Sequence, residues 1–278
     1  MSKPLLLEQH IHGAYGIDFN TCSVNDVLFV ADKLLEHGIG AFFPTLVTDS
    51  IENIKRQISI IKEASEKNNR ILGIHLEGIF INPEKKGIHN PEHFLPLTVD
   101  NYKLIEDDFI KIVTLAPELD EGLIEYLKSK GVKVQAGHCT GWGNVDGVTH
   151  TLNAMAGISH RSESTALKAL IEDDVYIEVI ADGVHISDDA LRLIFKTKPI
   201  DKIILISDAL PITNSDIKET VFADSKIFYD GIKATSANDT IAGSTTLLDG
   251  MIERLKELDL YNPILLENAW KYHNVKFM

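Results

Sequence analysis

The sequence predicts an α/β fold, a single (β/α)8 barrel over residues 1–278, and three observations predict it. Apolar runs alternate with amphipathic segments along the chain. Eight such runs can be counted, and their near-continuous Ile, Val and Leu content suits parallel strands buried on both faces. The length of 278 residues, 44% of them hydrophobic, fits one barrel of about 250 residues. A doubly wound open sheet is the structural alternative. No Pro/Gly/Ser-rich linker, low-complexity segment or fixed-period repeat divides the chain.

The first strand starts at Leu5-Leu6-Leu7 and carries His10 and His12 on one face, because residues two apart on a strand point the same way. Ser23 and Asp26 then form a capping box for a helix with the stripe Val27, Val30, Ala31, Leu34 and Leu35, which Gly38 stops. "IGAFFPTLV" is the second strand, and Ile51, Ile54, Ile58 and Ile61 mark the next helix. "RILGIHLEG" and "FIKIVTLAPE" are strands three and four, followed by a helix through "LDEGLIEYLKSKG". "VKVQAGHC" and "GVTHTLNAM" are five and six, with a helix from about Ser164. "VYIEVIADGVH", the helix "SDDALRLIFK", strand "KIILISDAL" and a final helix through "LLDGMIERLKEL" complete the alternation. Residues 80–100 and 211–243 interrupt it and read as long polar connections, the places where barrel enzymes keep function.

The formal net charge of −14 argues against nucleic acid and anionic membrane as partners, since both require a basic surface. No stretch approaches 18 uninterrupted apolar residues, and "MSKPLLLEQH" is too short in apolar residues for a signal peptide. Two cysteines, Cys22 and Cys139, are too few for a disulfide framework. A soluble cytoplasmic protein is expected.

Polar residues collect at strand ends. His10 and His12 end strand one, His75 and Glu77 strand three, and His138 strand five; His150 lies in strand six, Asp182 and His185 end strand seven, and Asp208 ends strand eight. In a closed barrel those ends share one rim, the rim that carries active sites. A lone buried histidine is ordinarily a hydrogen-bonded core residue. Several imidazoles and carboxylates converging on one rim instead make a ligand set for a divalent metal such as zinc or iron, one ion or two. Cys139 reads as a small buried side chain, and His37, His93 and His273 as surface residues. Lys85 and Lys86 stay open between solvated loop charges and site residues.

The ordered motifs "HIHGAYGIDF", "GIHLEGIFINPEKKGIHNP", "VQAGHCTG", "THTLNAMAGISHR", "IADGVHI", "ISDAL" and "IAGSTTLLDGM" resemble those of N-acetylglucosamine-6-phosphate deacetylases, metal-dependent barrel hydrolases of the amidohydrolase superfamily. The resemblance runs from about residue 8 to residue 251. It implies Glu77, His138 and His150 as ligands of the main metal and His10 and His12 as the H-x-H pair that holds a second one in some members. It implies Asp208 as the catalytic aspartate and His89 as a histidine beside the substrate acetamide, next to Ile88. Asn153, Ala154 and Arg161 would contact the sugar phosphate, Asp182 and His185 the sugar, and Ile241, Ala242 and Gly243 a substrate-contacting loop. The implied substrate is a small amino sugar phosphate, with no nucleotide or organic cofactor.

Two departures qualify the likeness. Relatives usually continue R-E-P-G after the phosphate arginine, whereas this chain reads "RSES" from Arg161. Most relatives also carry a small β-sandwich built from segments flanking the barrel, and here it is expected to be missing. Uncovered apolar surface would then favour a homodimer or larger homo-oligomer, with Arg161 acting within its own chain or across the interface. Another N-acyl sugar or a cyclic amide as substrate, or a sugar-phosphate-binding protein without turnover, are the alternatives.

Overall fold

In the computed structural model, which describes residues 5–276, eight parallel strands wind into a nearly closed barrel. They are β1 (Leu6–Ile11), β2 (Ile39–Leu46), β3 (Ile74–Glu77), β4 (Ile110–Leu115), β5 (Lys133–Ala136), β6 (Gly147–Val148), β7 (Tyr176–Val179) and β8 (Ile203–Leu205). Each pairs with the next in chain order. The first four residues of the stretch read against a signal peptide, and the last two of the chain, lie outside the described residues.

The seam between β8 and β1 is built differently from the other seven. One isolated parallel bridge joins Ile11 to Ala209, helped by Asp208 N–H to His10 O and His12 N–H to Ala209 O, each 2.9 Å. The Glu8 carboxyl fills the remaining gap, accepting from His10 N at 3.0 Å and Ser207 N at 2.9 Å. Burial pushes this carboxyl up to about 8, against the pull of its backbone donors.

Eight α-helices complete the described chain: α1 (Val24–Glu36), α2 (Ile51–Lys67), α3 (Val99–Tyr102), α4 (Leu123–Ser129), α5 (Thr165–Ile171), α6 (Asp188–Thr197), α7 (Leu248–Glu257) and α8 (Asn268–Tyr272). The Ser23–Asp26 capping box opens α1 as expected. The buried stripes of α1 and α2 join one continuous apolar core around the strands. The His273 expectation fails. This ring lies against Phe43, centroids 4.5 Å apart, and bonds Gln9 Oε1 at 3.0 Å, so it packs at the barrel's base and is not a surface group.

Two connections differ from the sequence reading. Regular pairing in β6 stops at Val148, so His150 lies two residues beyond the strand, where φ of +29° turns the chain over the barrel mouth. Residues 219–243 are not an irregular connection but an antiparallel sheet of β9 (Glu219–Phe222), β10 (Ser225–Tyr229), β11 (Ala234–Ser236) and β12 (Ile241–Gly243). Ala223 and Asp224, both at positive φ, make the tight turn between β9 and β10. Phe222, Ile227 and Ala234 pack this small sheet onto Val47, Ile88, Leu210 and Ile212.

Candidate active site

The carboxyl ends of the strands bring His10, His12, Glu77, His138, His150 and Asp208 into one cluster, all of them buried. Glu77, the last residue of β3, is its centre. Oε1 stands 2.9 Å from His150 Nε2 and 3.3 Å from His138 Nε2, and those nitrogens are 3.1 Å apart. Oε2 stands 3.0 Å from His12 Nε2 and 3.4 Å from His10 Nε2. Asp208 Oδ1 closes the second group, 3.2 Å from His12 Nε2 and 3.4 Å from His10 Nε2. Two sets of donors therefore share one carboxylate. Ligand atoms about 2.1 Å from a tetrahedral zinc ion stand about 3.4 Å from one another. The donor types and spacings here suit a divalent cation in each set.

The charges agree with the geometry. Burial would raise the Glu77 carboxyl, but His10 and the hydrogen bonds from His10, His12 and His138 hold it well below its ordinary value. Burial likewise works against Asp208, yet His10 and His12 bring it down to about 2. Burial lowers the His12 imidazole, and the Asp208 and Glu77 carboxylates overcome it, to about 9. Without a cation, a proton on His12 offsets part of the charge of the paired carboxylates.

The backbone is strained where it presents three members of the cluster. His138, His150 and Asp208 all have left-handed φ, at +48°, +29° and +50°, a conformation costing about 1–3 kcal/mol for a residue other than glycine. The loop after β3 holds His138: its Nδ1 bonds Lys85 O at 2.8 Å, and Asn82 N–H reaches His138 O at 2.9 Å. Gly78 has φ of +116°, and a Cβ there would lie 2.0 Å from Thr48 Oγ1, so glycine is required. Thr48 Oγ1 accepts from Ile79 N–H at 2.9 Å and meets His89 Nδ1 at 2.8 Å. With that N–H donated to it, the hydroxyl can point its own proton at Nδ1, leaving the ring proton on Nε2. Burial and the neighbouring His138 hold His89 well below the usual histidine value, so it is neutral.

A cavity of about 580 Å³ opens above the cluster. Ile88, His89, Asn153, Ala154, His185, Ile241, Ala242 and Gly243 line it together with the cluster's outer members, as do Lys85 and Lys86. Two of the expected substrate contacts stand off the cavity wall. Asp182 is not on the wall; its Oδ2 bonds His185 Nδ1 at 2.8 Å while Oδ1 accepts from Val184 N and His185 N, so it acts behind His185. Arg161 is exposed on a Ser-rich turn, its backbone N–H on Ser159 Oγ, and does not line the cavity of its own chain. Sequence reasoning missed Thr48, Glu8, Glu178 and Phe222, whose ring lies 5.1 Å from that of His12. Glu178 and Glu8 left a signal, each an acid within an apolar strand run, "YIEVI" and "LLLEQHI".

The model of the amidohydrolase family matches residues 6–268. The N-acetylglucosamine-6-phosphate deacetylase of Bacillus subtilis is 31% identical over 96% of this chain and 74% of its own length. The N-acetylgalactosamine-6-phosphate deacetylase of Escherichia coli O157:H7 is 29% identical over 94% of this chain and 73% of its own. The crystal structure of N-acetylglucosamine-6-phosphate deacetylase from Thermotoga maritima superposes with a TM-score of 0.91 at 26% identity, covering 98% of this chain and 78% of that one.

Proposed function

The chain belongs to the amidohydrolase family, and from that premise we propose that it hydrolyses the N-acetyl group of N-acetylglucosamine 6-phosphate to glucosamine 6-phosphate and acetate. The observation that carries this reading is the Glu77-centred cluster on the floor of a sugar-sized cavity. Glu77, His138 and His150 would hold a divalent cation, zinc or iron, with His10, His12 and Asp208 offering a second position. Such a cation supplies a water of lowered pKa and a polarised acyl carbonyl.

The chain's own groups do the rest. Asp208, buried at the cluster edge and facing the cavity, takes the proton of the attacking water and returns it to the leaving amine. In the tautomer that accepts from Thr48 at Nδ1, His89 donates its Nε2 proton to the acetamide oxygen as negative charge develops there. His185, fixed by Asp182, binds the sugar. Asn153, Ala154 and the loop Ile241–Gly243 enclose it at the cavity mouth.

The exposure of Arg161 supports a homodimer in which it reaches the phosphate of a neighbouring copy. Two free buried thiols suit a cytoplasmic setting. Among the described residues, no helix is long and apolar enough to cross a membrane.

Acetate release by the zinc- or iron-loaded chain tests the function. Turnover of N-acetylglucosamine 6-phosphate well above that of the unphosphorylated sugar is expected; equal rates remove the phosphate from the reading, and no release removes the reaction. The relative named N-acetylgalactosamine-6-phosphate deacetylase makes N-acetylgalactosamine 6-phosphate the second substrate to assay.

A further inference from the structure

Resting on the metal-site reading above, we infer that Glu178 is a positioning residue: it fixes the tautomer of His10 and the backbone of His150, one member of each donor set. Its neighbours on β7, Ile177 and Val179, are fully buried, and Glu178 itself is 1% exposed. A carboxylate in such surroundings is unfavourable unless its oxygens are bonded. Oε1 accepts from Gln9 Nε2 at 2.6 Å. Oε2 accepts from His10 Nδ1 at 3.0 Å and from the His150 backbone N–H at 3.2 Å.

The bond to His10 decides which nitrogen of that ring carries the proton. An ionised carboxylate can only accept, so Nδ1 donates, and Nε2, which faces Glu77, His12 and Asp208, is the nitrogen whose lone pair is free to ligate once a cation takes the place of its proton. With the proton on Nε2 instead, His10 could not ligate a cation there. His75, whose ring is 4.6 Å away, cannot take over, because its own nitrogens engage Gln9 O and Thr114 Oγ1. The second bond acts on His150 where its φ is left-handed, holding the turn that carries the ring to Glu77.

Glu178→Gln keeps the shape, but a carboxamide cannot accept from Gln9 on one side and from His10 and His150 on the other. Three measurements test the inference: zinc content after loading and desalting, zinc affinity by chelator competition, and long-range 1H–15N spectra of the zinc-loaded wild type. The expected results are a proton on His10 Nδ1 in the wild type and zinc affinity about 10–100-fold weaker in folded Glu178→Gln. Gln9→Leu, which removes the partner of Glu178 Oε1 and leaves His10 and His150 bonded to Oε2, should keep wild-type affinity. Unchanged affinity in Glu178→Gln, a proton on His10 Nε2, or an equal loss in Gln9→Leu overturns the inference. Should Glu178→Gln fail to fold, the wild-type spectrum decides alone. A wild type that holds no zinc defeats the metal-site reading and the inference with it, an outcome distinct from zinc held equally by both proteins.

Discussion

Asp208 touches two imidazoles through a single oxygen and faces the cavity, so proton transfer and packing can be separated there. Asp208→Asn preserves volume and removes the base; kcat should fall by about 10²–10⁴-fold while elemental analysis still finds a cation on the Glu77, His138 and His150 set. Glu77→Gln should act oppositely in kind. Loss of the shared carboxylate should empty both sets, and metal content equal to wild type would contradict its role. At this scale the members of the cluster were legible because they stand at or just beyond the ends of the strand runs, and two spaced as i and i+2 must share a face. Thr48 and Glu178 were not, because what they do depends on rings distant in sequence: His89 is 41 residues from Thr48, and His10 is 168 from Glu178.

Among the elements, α5 shows how a short helix is held at its end. Lys198, in the segment after α6, donates to Ala169 O at 2.8 Å and Glu172 O at 2.6 Å, covering carbonyls that the helix cannot satisfy itself. Lys198→Met should destabilise the chain by about 1–3 kcal/mol, read as a lower midpoint in urea. Burial pushes the Lys198 ammonium down to about 8 from the 10.5 of a free lysine. Between those values the unfolded chain binds the extra proton, so wild-type stability gains as pH rises, and its advantage over Lys198→Met should widen from pH 8 to pH 10. All eight barrel strands fall within the runs read from the sequence, but the last three were read too long: β6 stops at Val148, β7 at Val179 and β8 at Leu205, and the polar residues that follow each belong to loops over the site. The β9–β12 sheet escaped notice since its strands bury few residues, and its first turn is Ala-Asp without the customary glycine.

For the whole molecule, the barrel core is apolar outside the strands but polar along the axis near the site. Gln9, His10, His75, Thr114, Gln135, Thr149 and Glu178 are all buried and linked by hydrogen bonds. A cation bound only by the folded chain stabilises it by about 4 kcal/mol at a thousandfold excess over Kd. Chelation should therefore lower the melting temperature by about 5–15 °C, with recovery on adding zinc; a melting curve indifferent to chelator would mean that the cluster holds no ion. The alternation of elements along 278 residues made the α/β class legible, and the pairing of eight strands in chain order, with β8 returning to β1 through the Ile11–Ala209 bridge, decides for the barrel over an open sheet.

The floor and the roof of the cavity belong to different sheets. The barrel strands carry the acids and imidazoles, while β9 to β12 bring Phe222 and Ile241–Gly243 over them from an insertion between β8 and α7. Descendants of this chain could thus exchange the hairpins overhead and come to favour a differently shaped acyl donor, with the hydrolytic floor left untouched.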